Sequence, residues 1–488
     1  MSSRPVPPRL AVVGGGIAGL AAAHRLTEAA AVDGQPLTLT LLEASDRLGG
    51  TIRSERADGF LLEGGPDSLI SEKPWGLALA ERLGLGPRLV GTDDRFRRTY
   101  VVRRGRLVPV PEGFLLLGPT RPWPVLASPI FSWRGKARMA LDLVLPRGPA
   151  RDDESLGHFV RRRLGREVLE RVAQPLVGGI YTADPDRLSL AATMPRFLAL
   201  EREHGSVIRG LRRSATGRER AASGARWSLF VTLAGGMQEL TEALMARLPA
   251  GSVRLRSPVA AVVPAPDDAG RAAGEGDAAW RLLLQGGEVV PADGVVLAGE
   301  APRMAGLVRT FDPELARLLG GIAYASSAAV TLAYSRAAVR HPLDAFGFIV
   351  PRIEGRPSLA CTFASVKYPG RAPAGFVLLR VFLGGALRPD VLDLDDAALV
   401  REARDEVATL LGIAGEPVLT RVWRHPAAMP QYDVGHLGRI GAIETRLVPW
   451  PRLVLAGAAY RGVGIADCVR SGEAAADQLW STVKGRTP

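Results

Sequence analysis

The sequence predicts a mixed α/β and α+β fold, in which a parallel sheet built from both ends of the chain is interrupted by a second, mixed sheet. Three observations support this prediction. Near the start, an apolar run breaks into glycines at Gly14 and resumes with helical character. Near the end, residues 453–457 repeat a buried-strand pattern that ends in glycine. Between them, residues 331–334, 347–350, 359–363 and 377–383 alternate as short strands of another sheet.

The N-terminal glycines form the first motif. Gly14, Gly16 and Gly19 stand in G-x-G-x-x-G spacing between an apolar run and a predicted helix that ends near residue 30. The first glycine permits a tight turn, the second lets the backbone approach a pyrophosphate, and the third lets helix and strand pack closely. The pyrophosphate would bind the free N–H groups at the helix N-terminus. An ordinary glycine turn is the alternative for this motif taken alone.

A second strand, residues 37–43, completes a βαβ unit and ends in a carboxylate. Glu43 falls where an acid that accepts both ribose hydroxyls belongs, and a carboxylate there disfavours a 2′-phosphate. Arg47, Gly49 and Gly50 follow shortly after. This second glycine pair favours an extended flavin dinucleotide over a nicotinamide cofactor, with Arg47 reaching the pyrophosphate. An exposed arginine in an ordinary loop is the alternative.

Two further segments are predicted to close the same site. Residues 59–68 form a short strand and a glycine loop whose backbone can approach the cofactor, or else a plain hairpin. At the C-terminus, residues 463–465 precede an alanine-rich helix. Their N–H groups would face the negative charge that a reduced flavin develops at its N1 and O2 edge. The two ends of the chain would therefore build one site.

Composition limits the function classes. The net charge is +12, yet only four of the 62 basic residues are lysines, namely Lys73, Lys136, Lys367 and Lys484. No zinc or helix-turn-helix signature accompanies this charge, so nucleic acid is not an expected partner. The charge suits an anionic substrate or an anionic membrane surface.

The cellular location is predicted from what the chain lacks. Its two cysteines, Cys361 and Cys468, lie far apart, which indicates a reducing compartment. The first residues have no apolar core of a signal peptide, and no run of about 18 apolar residues occurs. We therefore expect a cytoplasmic protein that can lie peripherally on the inner face of the membrane.

One segment suggests how the protein would reach a membrane. Residues 113–133 are apolar, rich in proline and carry Trp123 and Trp133. They are too broken for a spanning helix. They could rest at a bilayer interface, line an apolar substrate cleft, or be buried in the core.

Four motifs together carry a resemblance to a known family. They are the N-terminal glycine fingerprint with Glu43 and residues 47–50, the segment 178–189, Trp423 with residues 429–436, and the segment 460–472. With these motifs the chain resembles the protoporphyrinogen/coproporphyrinogen oxidase family of flavoproteins, relatives of monoamine oxidases and phytoene desaturases. The likeness runs nearly end to end. Ala466 departs from the proline usual in the last motif.

The resemblance implies a Rossmann-like FAD-binding domain of the monoamine oxidase/p-hydroxybenzoate hydroxylase type. Residues 1–90, 226–300 and 449–488 would form it, with a helical, membrane-associating roof in residues 91–225 and an inserted substrate domain in residues 301–448. FAD would be bound without a covalent link. The implied cofactor-binding residues are Gly14, Gly15, Gly16, Ile17, Ala18, Gly19, Glu43, Ala44, Arg47, Gly50, Thr51, Gly64, Gly65, Pro66, Asp67, Val259, Trp423, Gly457, Val463, Gly464 and Ile465.

The resemblance also implies the reaction. The substrate would be a cyclic tetrapyrrole with methylene bridges, oxidised by molecular oxygen in three two-electron steps that release hydrogen peroxide. The chemistry would occur at flavin N5, so a dedicated catalytic base is optional, and the sequence indicates none. It also shows no metal-ligand cluster. The next enzyme of haem biosynthesis is an implied candidate partner.

Within the family, the choice is between four propionates on coproporphyrinogen III and two on protoporphyrinogen IX. Where two-propionate enzymes place an arginine, this chain has Thr99, with Arg98 beside it. Lys73, Lys367 and the segment around Lys367 resemble the bacterial branch that oxidises coproporphyrinogen III. Lys73, Arg98 and Lys367 are therefore the candidate substrate residues.

Other functions stay open at this point. Protoporphyrinogen IX oxidation is the near alternative. A flavin amine oxidase and a carotenoid desaturase are more distant, and the segments around Tyr181 and Cys468 argue against both. A flavin-stabilised membrane scaffold without turnover is an alternative from a different class.

Overall fold

The structure is a computed structural model that describes residues 7–115, 117–149, 151–222, 228–265 and 278–484. Its strands are β1 Arg9–Val13, β2 Thr38–Leu42, β3 Ser54–Ala57, β4 Phe60–Glu63, β5 Leu69–Ile70, β6 Leu89–Gly91, β7 Tyr100–Arg103, β8 Arg106–Pro109, β9 Phe114–Leu115, β10 Gly118–Pro119, β11 Phe230–Leu233, β12 Val253–Arg254, β13 Val259–Pro264, β14 Trp280–Leu284, β15 Val289–Ala292, β16 Gly294–Leu297, β17 Tyr324–Ser335, β18 Gly347–Ile349, β19 Ser358–Phe363, β20 Phe376–Gly384, β21 Leu419–Pro430 and β22 Leu453–Leu455.

The helices connect these strands and cover the sheets. They are α1 Ile17–Val32, α2 Pro74–Arg82, α3 Pro122–Ala127, α4 Trp133–Ala140, α5 Leu156–Arg163, α6 Arg166–Val168, α7 Gln174–Tyr181, α8 Leu190–Thr193, α9 Pro195–His204, α10 Val207–Ala222, α11 Gln238–Met245, α12 Ala301–Val308, α13 Pro313–Gly320, α14 Ala364–Lys367, α15 Asp396–Leu411, α16 His436–Leu447 and α17 Ile465–Lys484. A π-helical turn, Leu169–Ala173, joins α6 to α7.

A five-stranded parallel sheet in the order β12-β2-β1-β16-β22 joins the two ends of the chain. Leu10 and Val12 of β1 pack with helices α1 and α17, whereas Ala11 and Val13 pack with strands β13–β15 and helices α12 and α13. Successive side chains of a strand point to opposite faces, so an all-apolar strand such as β1 is expected where both faces are covered. The predicted Rossmann-like sheet, with its closing strand from the C-terminus, is confirmed.

The second sheet has seven strands in the order β21-β17-β20-β19-β18-β7-β8 and is antiparallel except at the pair β18 and β7. Phe348 packs toward α15 on one face, and its neighbour Ile349 packs toward the helices α5–α9 on the other. The predicted mixed sheet is therefore confirmed, and it separates one helical layer from another.

Two elements of this sheet were not anticipated in that position. Strand β21 lies outside the four segments that were predicted as strands of this sheet. The hairpin β7–β8, which the predicted boundaries assign to the helical region, joins the mixed sheet through β18. The division into domains stays a prediction.

The segment 113–133 divides between core and surface. Leu117, Ile130 and Phe131 are buried with the helices α5–α9. Trp123 and Trp133 are 77% and 73% exposed. Within the described ranges, no helix combines the length and the apolar character needed to cross a bilayer.

Helices α1 and α17 meet so closely that one position admits only glycine. A Cβ atom placed on Gly472 would lie 2.1 Å from the backbone oxygen of Ala18. We expect Gly472→Ala to push the helices apart and lower the free energy of unfolding by about 1–3 kcal/mol. A Cβ atom placed on Gly441 in α16 would meet nothing within 4 Å. Gly441→Ala is therefore the matched control and should leave the thermal midpoint unchanged or raise it slightly.

Thermal unfolding of the wild type and the two variants measures both effects. Equal midpoints for the two variants would show that the close contact at Gly472 does not stabilise the fold.

Candidate functional site

The first glycine turn places an uncapped helix N-terminus beside open space. Gly14 has φ +105°, and a Cβ on Gly19 would lie 1.9 Å from the Gly14 oxygen. Gly16 begins α1 without a side-chain cap, and the first turn holds no acidic residue. A Cβ on Gly16 would meet nothing within 4 Å. Ile17 and Ala18 follow as the first helical residues. Free N–H groups and adjacent space are what a pyrophosphate requires.

Glu43 lies directly beneath this turn, after the end of β2. Its Oε2 accepts a hydrogen bond from the Gly15 backbone N–H at 2.7 Å, and its Oε1 accepts one from Ser45 at 2.8 Å. These bonds hold the carboxylate in place, and a carboxylate has further lone pairs for ribose hydroxyls. Ala44 is exposed beside it. Backbone bonds from Arg256 and Ser257 to this segment bring the start of β13, at Val259, close by.

The loop after Glu43 lies against the glycine turn. The Gly49 N–H donates to Gly15 O at 2.8 Å, and a Cβ on Gly50 would lie 3.2 Å from Gly16 Cα. Arg47 donates to Gly50 O at 2.6 Å and also bonds Ile52 O. The Arg47 guanidinium therefore shapes the loop that approaches the turn, and its contact with a pyrophosphate stays a prediction.

A third segment, residues 64–67, packs onto this loop. A Cβ on Gly65 would lie 1.7 Å from the Thr51 oxygen, and one on Gly64 would lie 2.8 Å from the ring of Trp423. Both glycines are therefore required by close approach. Pro66 and Asp67 follow. The structure thus brings the predicted residues of β21 and of three N-terminal segments together.

The C-terminal segment completes the arrangement. Gly457 follows β22 with φ +129°, and its N–H donates to Ser471 Oγ at 3.0 Å. Val463 and Gly464 lead into α17 at Ile465. Their backbone groups lie at the positive end of a 20-residue helix.

Sequence reasoning missed an acid at this helix start. Asp467 is 5% exposed and accepts a hydrogen bond from Lys73 Nζ at 2.5 Å. Burial raises the pKa of Tyr181 to about 12, and the nearby Asp467 carboxylate adds to the shift. Lys73 and Asp467 are 394 positions apart in sequence, so no local pattern signals such a pair.

The three candidate substrate residues lie in separate ion pairs. Lys73 is 42% exposed against Asp467. Arg98 is 67% exposed and lies 3.6 Å from Asp344. Lys367 is only 13% exposed, and its Nζ lies 3.1 Å from Asp67 Oδ1. Each of the three cations therefore already has an acidic partner, and Lys367 is the least exposed of them.

Two basic side chains on the mixed sheet hold the loop of Gly64. Arg380, which is buried at 6% exposure, donates from Nη2 to Gly65 O at 2.6 Å and to Gly64 O at 3.2 Å. His425 Nε2 lies 2.9 Å from Gly64 O. Burial, helped by Arg380, lowers the pKa of His425. A carbonyl only accepts, so the ring carries a proton on Nε2 and donates it to Gly64 O. The sequence offered one signal for Arg380, since it is the single charged residue in the otherwise apolar strand β20.

A cavity of about 580 Å³ opens elsewhere, between the π-helical turn and the residues around Arg352. Its walls include Arg161, Arg166, Asp184 and Ile353. None of the predicted cofactor or substrate residues lines it. No cluster of three or more metal-ligating side chains occurs in the described ranges.

These groups fit a dinucleotide. They are an uncapped helix N-terminus, a carboxylate held in place by hydrogen bonds, and glycines that let neighbouring backbone segments approach closely. The sequence profile of flavin-containing amine oxidoreductases matches residues 17–480. The chain belongs to this family. Membership makes FAD the cofactor and makes the protein an FAD-dependent oxidoreductase.

Similar proteins place the chain within the family. It is 37% identical to a coproporphyrinogen III oxidase of Propionibacterium freudenreichii subsp. freudenreichii, over 98% of this chain and 92% of that protein. It is 34% identical to a coproporphyrinogen III oxidase of Bacillus subtilis (strain 168), over 95% of this chain and 96% of that protein. A protoporphyrinogen oxidase of Bos taurus is 32% identical, over 96% and 98%. The resemblance to the porphyrinogen oxidase family is confirmed.

Solved structures agree with this placement. A candidate protoporphyrinogen oxidase from Exiguobacterium sp. 255-15 superposes with a TM-score of 0.84 at 31% identity, covering 98% of this chain and 100% of that one. A putrescine oxidase, at 18% identity and TM-score 0.68 over 98% and 100%, shares the fold. The predicted fold class of this flavin-containing amine oxidoreductase is confirmed.

The ion pair of Asp67 gives a testable pH dependence. Burial opposes ionisation of Asp67, but Lys367 and Arg380 outweigh it and hold its pKa at about 2. An unfolded carboxyl titrates near 4, so the ionised form stabilises the fold by about 2–3 kcal/mol at pH 7. This stabilisation is present above about pH 4 and is lost as the pH falls toward 2. We expect Asp67→Asn to be destabilised at pH 7 and to converge with the wild type on acidification.

Urea unfolding at pH 7 and at several lower values measures the difference. The exposed Asp46→Asn serves as the control. A difference for Asp67→Asn that stays constant as the pH falls would contradict the prediction.

Proposed function

We propose that this FAD-dependent oxidoreductase oxidises coproporphyrinogen III to coproporphyrin III in haem biosynthesis, with molecular oxygen as the oxidant. The observation that supports the substrate is the likeness over nearly the whole chain to two bacterial coproporphyrinogen III oxidases. Six hydrogens leave the macrocycle in three two-electron steps, and three oxygen molecules become three molecules of hydrogen peroxide.

The proposed role of the protein is to position the reactants. When bound, FAD supplies a hydride acceptor that can be reoxidised by oxygen. The N-terminus of α1 would hold the pyrophosphate and Glu43 the ribose hydroxyls. The N–H groups of residues 463–465 would stabilise negative charge on the reduced cofactor. Because the macrocycle can tautomerise between steps, no side chain need act as a dedicated base.

We propose that Lys73 and Arg98 bind propionates of the substrate. Both are partly exposed, and the Arg98 contact with Asp344 is long at 3.6 Å. The Arg98 pair is exposed on both sides and therefore weak, so a substrate carboxylate can replace Asp344. Lys73 can keep its bond to Asp467 and still bind a substrate carboxylate, because an ammonium group has three donors. Lys367 is 13% exposed, the least of the three, and its Nζ contacts both carboxylate oxygens of Asp67, so little of its charge can face a substrate. Its pairing with Asp67 therefore supports a role in holding the loop instead of the substrate.

Aerobic turnover of the purified protein, followed by porphyrin fluorescence, tests the function. We expect faster oxidation of coproporphyrinogen III than of protoporphyrinogen IX, since more cationic partners suit four propionates. The opposite preference would overturn the substrate and support protoporphyrinogen IX. No fluorescence with either, from a yellow and folded protein, would favour an amine or carotenoid substrate or a scaffold without turnover.

The Lys73→Gln variant extends this experiment. We expect it to raise KM for coproporphyrinogen III by about tenfold, the effect of losing one charge-assisted contact. Lys484→Gln, near the C-terminus and paired with Asp33, is the control and should be unchanged. Equal KM values for both variants would contradict a propionate contact at Lys73.

We also propose that the protein rests peripherally on an anionic membrane, in the cytoplasm, where product could pass to the next haem-pathway enzyme. The support is an exposed patch of Trp123, Leu126 and Trp133 on α3 and α4. Lys136 links the two helices of this patch. Its Nζ lies 4.3 Å from the Trp133 ring centroid and donates to Leu126 O at 2.7 Å. Aromatic rings beside basic side chains are typical of interfacial binding.

Co-flotation with lipid vesicles measures this contact. We expect the wild type to bind vesicles that contain anionic lipid, and the double change Trp123→Ser with Trp133→Ser to lose most of that binding. Val418→Ser, at another exposed apolar position, is the control. Equal flotation of the double variant and the wild type would contradict the proposed patch.

A further inference from the structure

Three cations from one strand–helix–strand unit of the mixed sheet hold the segment 63–67. Lys367 pairs with Asp67, and Arg380 donates to the carbonyls of Gly64 and Gly65. We call Lys367, Arg371 and Arg380 the cationic clamp.

The third member of the clamp holds the start of the segment. Arg371 Nη1 lies 3.2 Å from Glu63 Oε1, and its Nη2 donates to Thr232 Oγ1 at 2.7 Å. Glu63 also accepts from Ser54 Oγ at 2.7 Å and from the Met237 N–H at 3.0 Å. The clamp therefore grips residues 63, 64, 65 and 67, leaving little freedom to the loop between them.

A small internal cavity lies within the clamp. It has about 10 Å³ of space for the centre of a water-sized sphere, close to the room that one water molecule needs. Leu61, Ala364 and Leu378 form its apolar walls. Its polar walls include Glu63 and Asp67. They also carry four buried atoms that make no hydrogen bond among the described residues: Thr331 Oγ1, Tyr368 Oη, Arg380 Nε and Arg371 Nη1, whose contact with Glu63 is an ion pair only.

These four side chains are each more than nine-tenths buried. Thr331 on β17 is the direct cross-strand neighbour of Arg380 on β20. Buried polar atoms without a partner are costly, and native proteins satisfy them with side chains or internal water. Four such atoms around one cavity therefore indicate a common ligand.

We propose that this cavity holds one internal water molecule that completes the clamp. The guanidinium N–H groups of Arg371 and Arg380 can only donate, whereas the hydroxyls of Thr331 and Tyr368 can also accept. A water accepts two hydrogen bonds and donates two, which matches this set. The space suits one water, whereas a halide ion is larger. A halide is the competing occupant, since the clamp carries three positive charges against Glu63 and Asp67.

The water has a consequence for the cofactor, and this step rests on the proposed flavin site. Arg380 is oriented by what its Nε meets, and its Nη2 fixes the carbonyls of Gly64 and Gly65. The water would therefore position the loop that faces FAD, acting through Arg380. Thr331 and Arg380 are positioning residues in this account and do not touch the substrate.

A crystal structure of the FAD-loaded protein, at a resolution that shows individual waters, tests the site directly. We expect one density peak within hydrogen-bond distance of Thr331 Oγ1, Arg371 Nη1 and Arg380 Nε. A bromide soak should give no anomalous signal there. An anomalous peak would replace the water with a halide, and a cavity without density would overturn the proposal.

Two variants test the link to the flavin. Thr331→Val keeps the shape and removes the hydroxyl, so the peak should weaken or vanish and the dissociation constant of FAD should rise by about tenfold, the loss of one hydrogen bond to a charged group. Thr331→Ser keeps the hydroxyl and should restore the peak and most of the affinity. The visible absorption of the bound flavin reports loop position separately from folding.

Wild-type flavin affinity and spectrum in Thr331→Val would overturn the positioning role. Neither readout uses a porphyrinogen. Failure of the turnover experiment would therefore leave this site standing, and failure here would leave the proposed reaction standing.

Discussion

The whole site depends on backbone segments that approach one another more closely than a side chain permits. A Cβ would lie 1.9 Å from a backbone oxygen at Gly19, 1.7 Å at Gly65 and 2.1 Å at Gly472. Each contact joins segments that are distant along the chain or across a turn. Because glycine has no side chain to separate these backbones, their N–H groups and carbonyls stay accessible and can shape a cofactor cleft.

Buried and half-buried arginines provide the second constraint, and they act mainly on the protein itself. Arg47 and Arg380 both donate to backbone carbonyls of loops at the cleft. Arg163, 1% exposed, does the same in the helical layer while pairing with Asp142. A guanidinium has five donors in a fixed fork, so one arginine can fix several carbonyls at once. The arginine-rich composition therefore serves the architecture as well as the net charge.

The mixed sheet connects these constraints to the substrate side. Phe348 and Ile349 enter opposite cores, so the sheet carries a packed layer on each face. Helix α7 ends at Tyr181, which lies near Asp467 in the first turn of α17. Helical layer, mixed sheet and parallel sheet thus meet at the start of α17, where Lys73 also arrives from the N-terminal part of the chain.

Local pattern was enough to predict the parallel sheet, the glycine turn and the closing strand, because turn geometry and strand alternation act over a few residues. The same is true of the family, whose motifs are short. Tertiary structure alone decided which side chains meet. Lys367, a candidate for the substrate, pairs with Asp67 across 300 residues of sequence, and Arg380 reaches two glycines from another sheet. Charge–charge contacts depend on distance in space and burial, neither of which sequence spacing contains.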